Sequence, residues 1–522
     1  RADSFERMFA AHTQTWKHLW NRFEIELSMS NDPDGVSRIV RLHLFHLLQS
    51  VSPHSRDNDI GVPPRGWHGE AYRGHILWDE FFVFPTIELH LPELARSLLL
   101  YRYRRLDAAR YMAERAQLHG AMFPWQSGSN GREESQRIHL NPQSGRWIPD
   151  NSRLQRHVNA AIVYNIWQYF EATEDIEFLS SYGAEMIIEI TRFWASLITF
   201  NSQKERYEIL GVMGPDEFHD GYPDAEEPGV NNNTYTNVMA SWVLLRALEV
   251  LQKIPQDRSS ELKESLQLSQ NEIEKWDHMR KRLFIPFHDD GIISQFEGYE
   301  KLDELDWKHY RKKYGDIHRL DRILESEGDT PNRYKLSKQA DVLMLFFLFS
   351  AEELGSLFKD MGYALKKDTI RDTIGYYIKR SSHGSTLSRL VHSWVMARSD
   401  RDTSWKLFRE ALGSDVNDIQ GGTTSEGIHL GAMAGTVDLL QRCYSGIEFR
   451  GNVLRFNPCL PKEFEEMKME IRYRGHSLHV LISQERLTVQ SKRASAKPIR
   501  VAYCEREYTL QQGQYQEIPL HK

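Results

Sequence analysis

From about residue 91 to residue 444 the chain is a succession of helix-length apolar patterns broken by loops rich in glycine, proline and serine. That alternation constrains the fold more than any other feature. Segments 91–117, 155–172, 183–199, 236–253, 261–282, 338–352, 367–379, 403–412 and 429–444 carry apolar residues at helical spacing. An earlier segment, from Val36 to Val51, follows the breaker and cap string Asn31-Asp32-Pro33-Asp34-Gly35. Strict period-two alternation is scarce here. About twelve sequential helices, counting the shorter ones, with long loops predict an α/α toroid, a ring of helical hairpins. The loops at one mouth of such a ring would carry the chemistry.

After Gly451 the period changes. Asn452–Asn457, Met467–Tyr473, Ser477–Ser483 and Arg486–Gln490 read as short strands between turns. They predict a small β-sandwich domain over 448–522. Residues 1–30, with Phe5, Phe9, Trp16, Trp20 and Phe23 at spacings of three to seven, read as an amphipathic helical linker. The barrel is left with 31–447.

Charge and composition narrow the function. The 522 residues include 66 Lys+Arg against 73 Asp+Glu, a net −7, which argues against nucleic-acid binding through a broad basic face. No apolar run is long enough to span a membrane, and the first residues lack an apolar signal core. Cys443, Cys459 and Cys504 show neither a disulfide framework nor zinc spacing, so the cytoplasm is the expected location. Phosphate-loop, dinucleotide, zinc-protease and nucleophile-elbow motifs are missing, and no metal is expected. The 13 Trp, 22 Tyr and 24 Phe suit sugar stacking as well as a large core.

Five strings carry candidate chemistry. In Gly74-His75-Ile76-Leu77-Trp78-Asp79-Glu80-Phe81 an indole can pack on a pyranose while Asp79 accepts from its hydroxyls; a buried Trp with a capping Asp is the structural alternative. In Gly214-Pro215-Asp216-Glu217-Phe218-His219 a pinned loop presents paired acids, and a Glu in such a place can protonate a glycosidic oxygen. Asn231 to Asn237 follow, reading as a helix start whose amides could bind hydroxyls or hold the Glu. Lys338-Gln339-Ala340-Asp341 opens an apolar helix, where a lysine opposes the helix dipole. Ser381-Ser382-His383-Gly384-Ser385-Thr386 and Gly421-Gly422-Thr423-Thr424-Ser425-Glu426 offer backbone N–H groups and hydroxyls to an anion, although most such loops are turns.

Taken in this order, and with Gly120-Ala121-Met122-Phe123-Pro124-Trp125 and Asp418–Gly431, the strings resemble glycoside hydrolase family 65, which holds disaccharide phosphorylases and some hydrolases. The resemblance spans roughly residues 30–460. It implies an (α/α)6 barrel, a six-hairpin toroid, with a C-terminal β domain. It implies Glu217 as general acid, with Trp78, Asp79, Lys338 and Gln339 around the cleaved glucose. Trp125 and His157 join the substrate side. His383, Gly384, Ser385, Thr386, Thr423 and Thr424 correspond to the phosphate-binding region, with Glu426 and Asn237 as supporting residues. The implied reaction is inverting phosphorolysis of an α-linked glucosyl disaccharide to β-glucose 1-phosphate, with inorganic phosphate as co-substrate and no cofactor. A homodimer is the expected assembly.

An inverting hydrolase needs a second carboxylate about 6.5–9.5 Å from the acid to activate water. No carboxylate stands between Ser381 and Ser388, which favours phosphorolysis; Asp79 and Glu426 keep hydrolysis open, and a sugar-binding protein without catalysis is the third reading. Two departures stand out. Family members commonly carry a large N-terminal β-sandwich, which these residues do not include ahead of the linker; either the chain is a fragment or this branch has lost it. Trp78-Asp79-Glu80-Phe81 replaces the common Trp-Asp-Thr-Glu and moves an acid by one position. Trp125, Arg132, Trp147 and Arg156 are candidates to contact the second sugar, or to be structural.

Overall fold

The computed structural model describes residues 4–32, 35–492 and 495–520, so Pro33 and Asp34 of the cap string lie outside the described residues. Twelve helices pair into six hairpins. Outer helices α1 (Val36–Ser50), α3 (Pro92–Tyr103), α5 (Ala184–Leu197), α7 (Gln270–Arg280), α9 (Ala351–Asp360) and α11 (Arg401–Val416) alternate with inner ones. The inner helices are α2 (Glu80–Glu88), α4 (Val158–Thr173), α6 (Thr234–Lys253), α8 (Asp341–Leu348), α10 (Thr386–Met396) and α12 (Leu430–Asp438). Each inner helix packs on the next, and α12 packs back on α2, which closes an (α/α)6 barrel. The seam is bonded as well as packed. The Thr86 hydroxyl donates to the Ala434 carbonyl at 3.3 Å, His90 meets Gln441 at 2.8 Å, and His43 on α1 meets Thr436 at 2.7 Å.

The inner ring explains which helices the sequence hid. All nine residues of α2 are buried and it contains Pro85. A helix covered on every side has no apolar stripe, so its pattern lacks the period of 3.6. α10 also lies outside the segments singled out from the sequence, although it keeps a helical apolar period and leaves Trp394 and Met396 only half-buried. Segment 91–117 divides at Arg104–Arg105, and 261–282 divides into Gln256–Ser265 and Gln270–Arg280 with Gln267 in a left-handed turn. Segment 338–352 shortens to Asp341–Leu348.

The C-terminal domain holds two sheets. The first runs β1 (Ile25–Met29), β4 (Phe464–Tyr473), β5 (His476–Ser483), β6 (Arg486–Ser491), β9 (Tyr515–Pro519), all antiparallel. The second runs β8 (Arg506–Leu510), β7 (Ile499–Tyr503), β3 (Val453–Phe456), β2 (Glu448–Arg450), with a parallel β7/β3 pair. β5 alternates buried and half-buried residues along its length, the mark of one covered face. The expected helical linker is corrected here. Helix Phe5–Phe23 ends at Glu24, and the next five residues form β1, with Ile25 opposite Met469 and Leu27 opposite Met467. The N-terminal segment therefore supplies the edge strand of the C-terminal sheet.

This domain docks where inner helices end. The Arg472 amide donates to the Leu89 carbonyl at 2.6 Å and the Arg474 amide to the Ala172 carbonyl at 2.9 Å, at the C-termini of α2 and α4. The opposite mouth, ringed by helix N-termini, is left to the loops.

Candidate active site

Most of the motifs singled out above lie at N-termini of the inner ring, and the loops of Gly120–Trp125 and Gly214–His219 precede α4 and α6. Asp79 caps α2, His157 α4, Asn233 α6, Ala340 α8, Ser385 α10 and His429 α12. Helix N-termini leave backbone N–H groups unsatisfied and carry partial positive charge. Six of them around one mouth make it receptive to anions and hydroxyls.

The acid loop is held from beneath by a buried carboxylate network. Asp216 accepts from the Lys338 amide at 2.7 Å, from Gln295 Nε2 at 3.0 Å and from His219 Nδ1 at 2.6 Å. Its own amide donates to Asp341 at 2.5 Å, and Asp341 also takes the Asn233 side-chain amide at 2.5 Å. Burial and the adjacent Asp216 push the Asp341 carboxyl well above the usual range. A Cβ at Gly214 would overlap the Asp341 carboxylate, so only glycine fits the loop's first position. Above this base Glu217 adopts φ +64°, a left-handed conformation that costs a non-glycine residue about 1–2 kcal/mol. Its half-buried carboxylate lies 2.6 Å from Lys338 Nζ. Burial alone would lower the lysine's pKa, but Glu217 and Tyr72 together raise it above its ordinary value.

Two expectations change here. Lys338 is not part of α8; it stands ahead of Asp341, the first helical residue, and is matched by Glu217 rather than set against the helix dipole. Gln339 spends its amide NH2 on the Pro215 carbonyl at 2.9 Å and so buttresses the acid loop, while its Oε1 is buried without a hydrogen-bond partner among the described residues.

Trp78, Trp125 and His157, expected on the substrate side, form one aromatic cluster. Ring centroids lie 4.8 Å apart for Trp78–His157, 5.2 Å for Trp125–His157 and 6.2 Å for Trp78–Trp125. Both indoles are over nine-tenths buried, so they wall the pocket more than they lie open in it. Burial pushes His157 down to about 3, leaving a neutral imidazole whose Nε2 meets Gln155 Oε1 at 3.1 Å. Burial, then the charge of Glu217, pushes the Asp79 carboxyl up to about 6. The displaced acid, Glu80, turns inward and pairs with Arg102 at 2.8 Å. Asn237 donates to Asn232 Oδ1 at 3.1 Å and the Phe284 carbonyl at 2.7 Å; it fixes the asparagine turn and does not hold Glu217. Trp147 is 63% exposed on a ribbon formed by 138–140 and 147–149, and Arg132 is exposed beside Glu134.

The loop expected to bind phosphate is tied to the Lys338 segment by backbone. Ser337 pairs with Ser381 in a parallel bridge, and the Ser382 amide donates to the Ser337 carbonyl at 2.8 Å. Gly384 backs onto Lys338: a Cβ there would lie 3.0 Å from Lys338 Cγ and overlap the His318 carbonyl. His383 has φ +57°, its Nδ1 meets Ser388 Oγ at 2.9 Å, and burial pushes it down to about 4, so it faces the mouth uncharged. Ser385 caps α10 by accepting from the Leu387 amide at 3.2 Å, and Thr386 is the first residue of that helix. Gln420 Nε2 lies 3.5 Å from the His383 carbonyl and links this loop to the turn Thr423–Glu426. There Thr424 is already committed, its hydroxyl donating to Asp415 at 3.0 Å, whereas Thr423 Oγ1 is buried without a hydrogen-bond partner among the described residues. Glu426 is exposed, and its carbonyl packs on Gly69.

Three groups escaped the sequence reading. Arg65 clamps the second turn, donating to the carbonyls of Thr423 at 3.0 Å and Gly427 at 2.6 Å. Tyr72, at φ +57°, brings its hydroxyl within the electrostatic reach of Lys338, Glu217, Arg65 and Asp79. Arg319, paired with Asp321 at 2.5 Å, adds a cation near Glu217. The string Pro63-Pro64-Arg65-Gly66-Trp67-His68-Gly69, rich in Pro and Gly, was the available signal for Arg65, and Tyr72 follows three residues later.

The model for the glycosyl hydrolase family 65 central catalytic domain matches residues 41–438, and that for the family's C-terminal domain matches 447–510. An uncharacterized glycosyl hydrolase of Mycobacterium tuberculosis is 51% identical over 500 residues, 96% of this chain and 37% of that protein. A trehalose 6-phosphate phosphorylase of Lactococcus lactis is 39% identical over 489 residues, 93% of this chain and 62% of that protein. A kojibiose phosphorylase of Caldanaerobacter subterraneus is 33% identical, with 93% and 60% covered. The chain thus spans less than two thirds of these relatives' lengths. A solved structure from human microbiome, provisionally named a kojibiose phosphorylase, superposes with TM-score 0.82 at 23% identity over 99% of this chain and 66% of that one, which establishes the shared fold.

Proposed function

The chain belongs to glycosyl hydrolase family 65, and from that premise we propose that it is an inverting phosphorylase of an α-linked glucosyl disaccharide. Relatives sharing 30–39% of their residues with it are named as phosphorylases of trehalose 6-phosphate, kojibiose, 1,2-α-glucosylglycerol and α,α-trehalose. One observation carries the reading. Glu217 lies in the loop before α6, and the turn at Thr423 lies before α12, the helix across the ring. A sugar held between them can be protonated on one side and attacked on the other.

Glu217 leaves its ion pair with Lys338, takes up a proton and gives it to the glycosidic oxygen. A phosphate oxygen bonds to C1 as the C1–O bond to the leaving sugar breaks, and the configuration inverts. Phosphate is anionic already, so no general base is required. Its charge, gathered by the backbone at 384–386, the unpaired Thr423 hydroxyl and the helix N-termini, competes with Glu217 for Lys338. Phosphate arrival thereby frees the acid to be protonated.

A hydrolytic second reading rests on Asp79, whose carboxyl is pushed up to about 6 and could serve as a base. The phosphorylase reading takes inorganic phosphate as co-substrate, uses no cofactor, and engages neither nucleic acid nor membrane; no described helix is long and apolar enough to cross one. It places a homodimer in the cytoplasm, where the free thiols Cys443, Cys459 and Cys504 stay reduced. The test is incubation with a panel of α-glucosyl disaccharides, with and without phosphate, assayed for β-glucose 1-phosphate. Phosphate-dependent release of that anomer is the expected result; free glucose without phosphate would replace this reading with the hydrolase.

A further inference from the structure

Residues 303–336 pack about an apolar core of their own. Leu305, Ile317, Leu320, Ile323 and Leu324 build it around helices Trp307–Tyr314 and Leu320–Ser326, separate from the core of the barrel. Among the described residues, one buried member of that core comes from outside the segment. It is Phe218, the neighbour of Glu217. The next two residues are tied to the same insert. His219 Nε2 lies 3.0 Å from the Tyr334 carbonyl oxygen. The Asp220 amide donates to Asn332 Oδ1 at 3.2 Å, and its carboxylate accepts from Asn332 Nδ2 at 2.9 Å. The acid loop therefore has two anchors, the Asp216 network beneath it and the insert beside it.

His219 joins the two anchors, and what it faces fixes its hydrogen-bond roles. A carbonyl oxygen only accepts, so Nε2 carries a hydrogen. Nδ1 lies 2.6 Å from Asp216 Oδ2. The Asp216 carboxyl already accepts from the Lys338 amide at 2.7 Å, from Gln295 Nε2 at 3.0 Å and from the His219 amide at 3.3 Å. A carboxyl ringed by donors suits the ionised, acceptor-only form, so Nδ1 donates as well. The imidazole is buried between Phe296 and Tyr299, with ring centroids 5.1 and 5.7 Å away. Between Asp216 and this histidine stands Glu217 at φ +64°, a conformation that persists only where the surroundings over-determine it.

We propose that His219, donating from both ring nitrogens, is the positioning residue that keeps Glu217 in its strained conformation by strapping the acid loop to residues 303–336. The inference rests on Glu217 as the acid, which the phosphorylase and hydrolase readings share.

The test compares wild type with His219→Asn, His219→Gln, Asn332→Ala and Glu217→Gln. Asparagine keeps a donor near the place of Nδ1 and loses the insert; glutamine keeps one near Nε2 and loses Asp216. Each histidine variant should lower kcat/KM on the disaccharide by about 100-fold, the cost of misplacing a reacting group by about 1 Å, with the loss in kcat. On α-glucosyl fluoride, whose leaving group needs no proton, the loss should stay under about fivefold. Asn332→Ala cuts only the Asp220 tie at a half-buried site, so it folds if the histidine variants do not; it should show the same split at about tenfold. In spectra of 15N-histidine-labelled protein, the His219 signals, identified by their loss in His219→Gln, should show hydrogen on both ring nitrogens. Equal losses on the two substrates, no loss on either, or a ring nitrogen without hydrogen overturns the inference. Glu217→Gln without the split removes the acid assignment, and the inference with it. The split in the histidine variants together with fluoride converted to free glucose, with or without phosphate, overturns the phosphorylase reading and leaves the inference standing.

Discussion

Replacing Glu217 separates its chemistry from its backbone. Glu217→Gln removes the proton and the charge and keeps the strained φ of +64°; Glu217→Gly removes all three. On a disaccharide both variants should lose about 10²–10⁴-fold in kcat, the usual worth of general acid catalysis. On α-glucosyl fluoride, whose leaving group needs no proton, both should keep activity within about tenfold. Stability distinguishes the two. Each loses the 2.6 Å ion pair with Lys338, so that contribution cancels in the comparison. What remains is the left-handed backbone, worth about 1 kcal/mol in favour of glycine. With an unfolding entropy near 2.1 cal/mol/K per residue, 522 residues give about 1.1 kcal/mol/K, so the glycine variant should melt about 1 °C higher. Calorimetry on matched samples resolves this difference. A Glu217→Gln enzyme fully active on its disaccharide refutes the acid assignment. A glutamine variant at least as stable as the glycine variant refutes the strain argument.

Gly384→Ala places a methyl against the His318 carbonyl and Lys338 Cγ, so the Lys338 strand must retreat by about 1 Å; a shift of that size costs about 100-fold in kcat/KM, measurable at saturating phosphate. Ser385→Ala and His383→Ala should raise the KM for phosphate by about tenfold or more with smaller effects on the disaccharide KM; an unchanged phosphate KM removes this loop from the anion site. Because Ser385 also caps α10, its variant should lose about 1 kcal/mol of stability, read by denaturant titration. The Asp79 carboxyl has its folded pKa raised from 3.8 to about 6, so the folded state binds more protons than the unfolded state between those values. Its contribution favours folding below about pH 4 and is lost as pH rises to about 6. Asp79→Asn should flatten that part of the stability profile relative to wild type.

The candidate site was legible because it is local. Glu217, Lys338, Gly384 and Trp78 sit in short strings, and loops ahead of the inner helices bring those strings to one mouth of the ring. What the sequence hid depends on distant partners. Glu80 reads as a site acid until Arg102 is found 2.8 Å away in the core. Nothing in the sequence signals that the Thr424 hydroxyl donates to Asp415. Residues 25–29 read as the tail of a helix, since five residues cannot announce an antiparallel partner near residue 467. α2 and Arg319 failed for complementary reasons: full burial erases the amphipathic period, and a site cation far from any motif has no local signature.

The closed seam has a consequence for how the chain is made. Contacts such as Thr86 with Ala434 and His90 with Gln441 join residues 348 and 351 positions apart, and β1 waits for a partner more than 430 positions ahead. Loop closure over about 350 residues costs roughly 5 kcal/mol in chain entropy. No part of that can be recovered before the last inner helix leaves the ribosome. Until then the side of α2 that packs on α12 has no partner, and the lone edge of β1 has nothing to pair with. Synthesis towards the C-terminus thus leaves the α12-facing side of α2 and the edge of β1 unfinished while the rest of the barrel is made, a place for a chaperone to hold and a place where aggregation could begin.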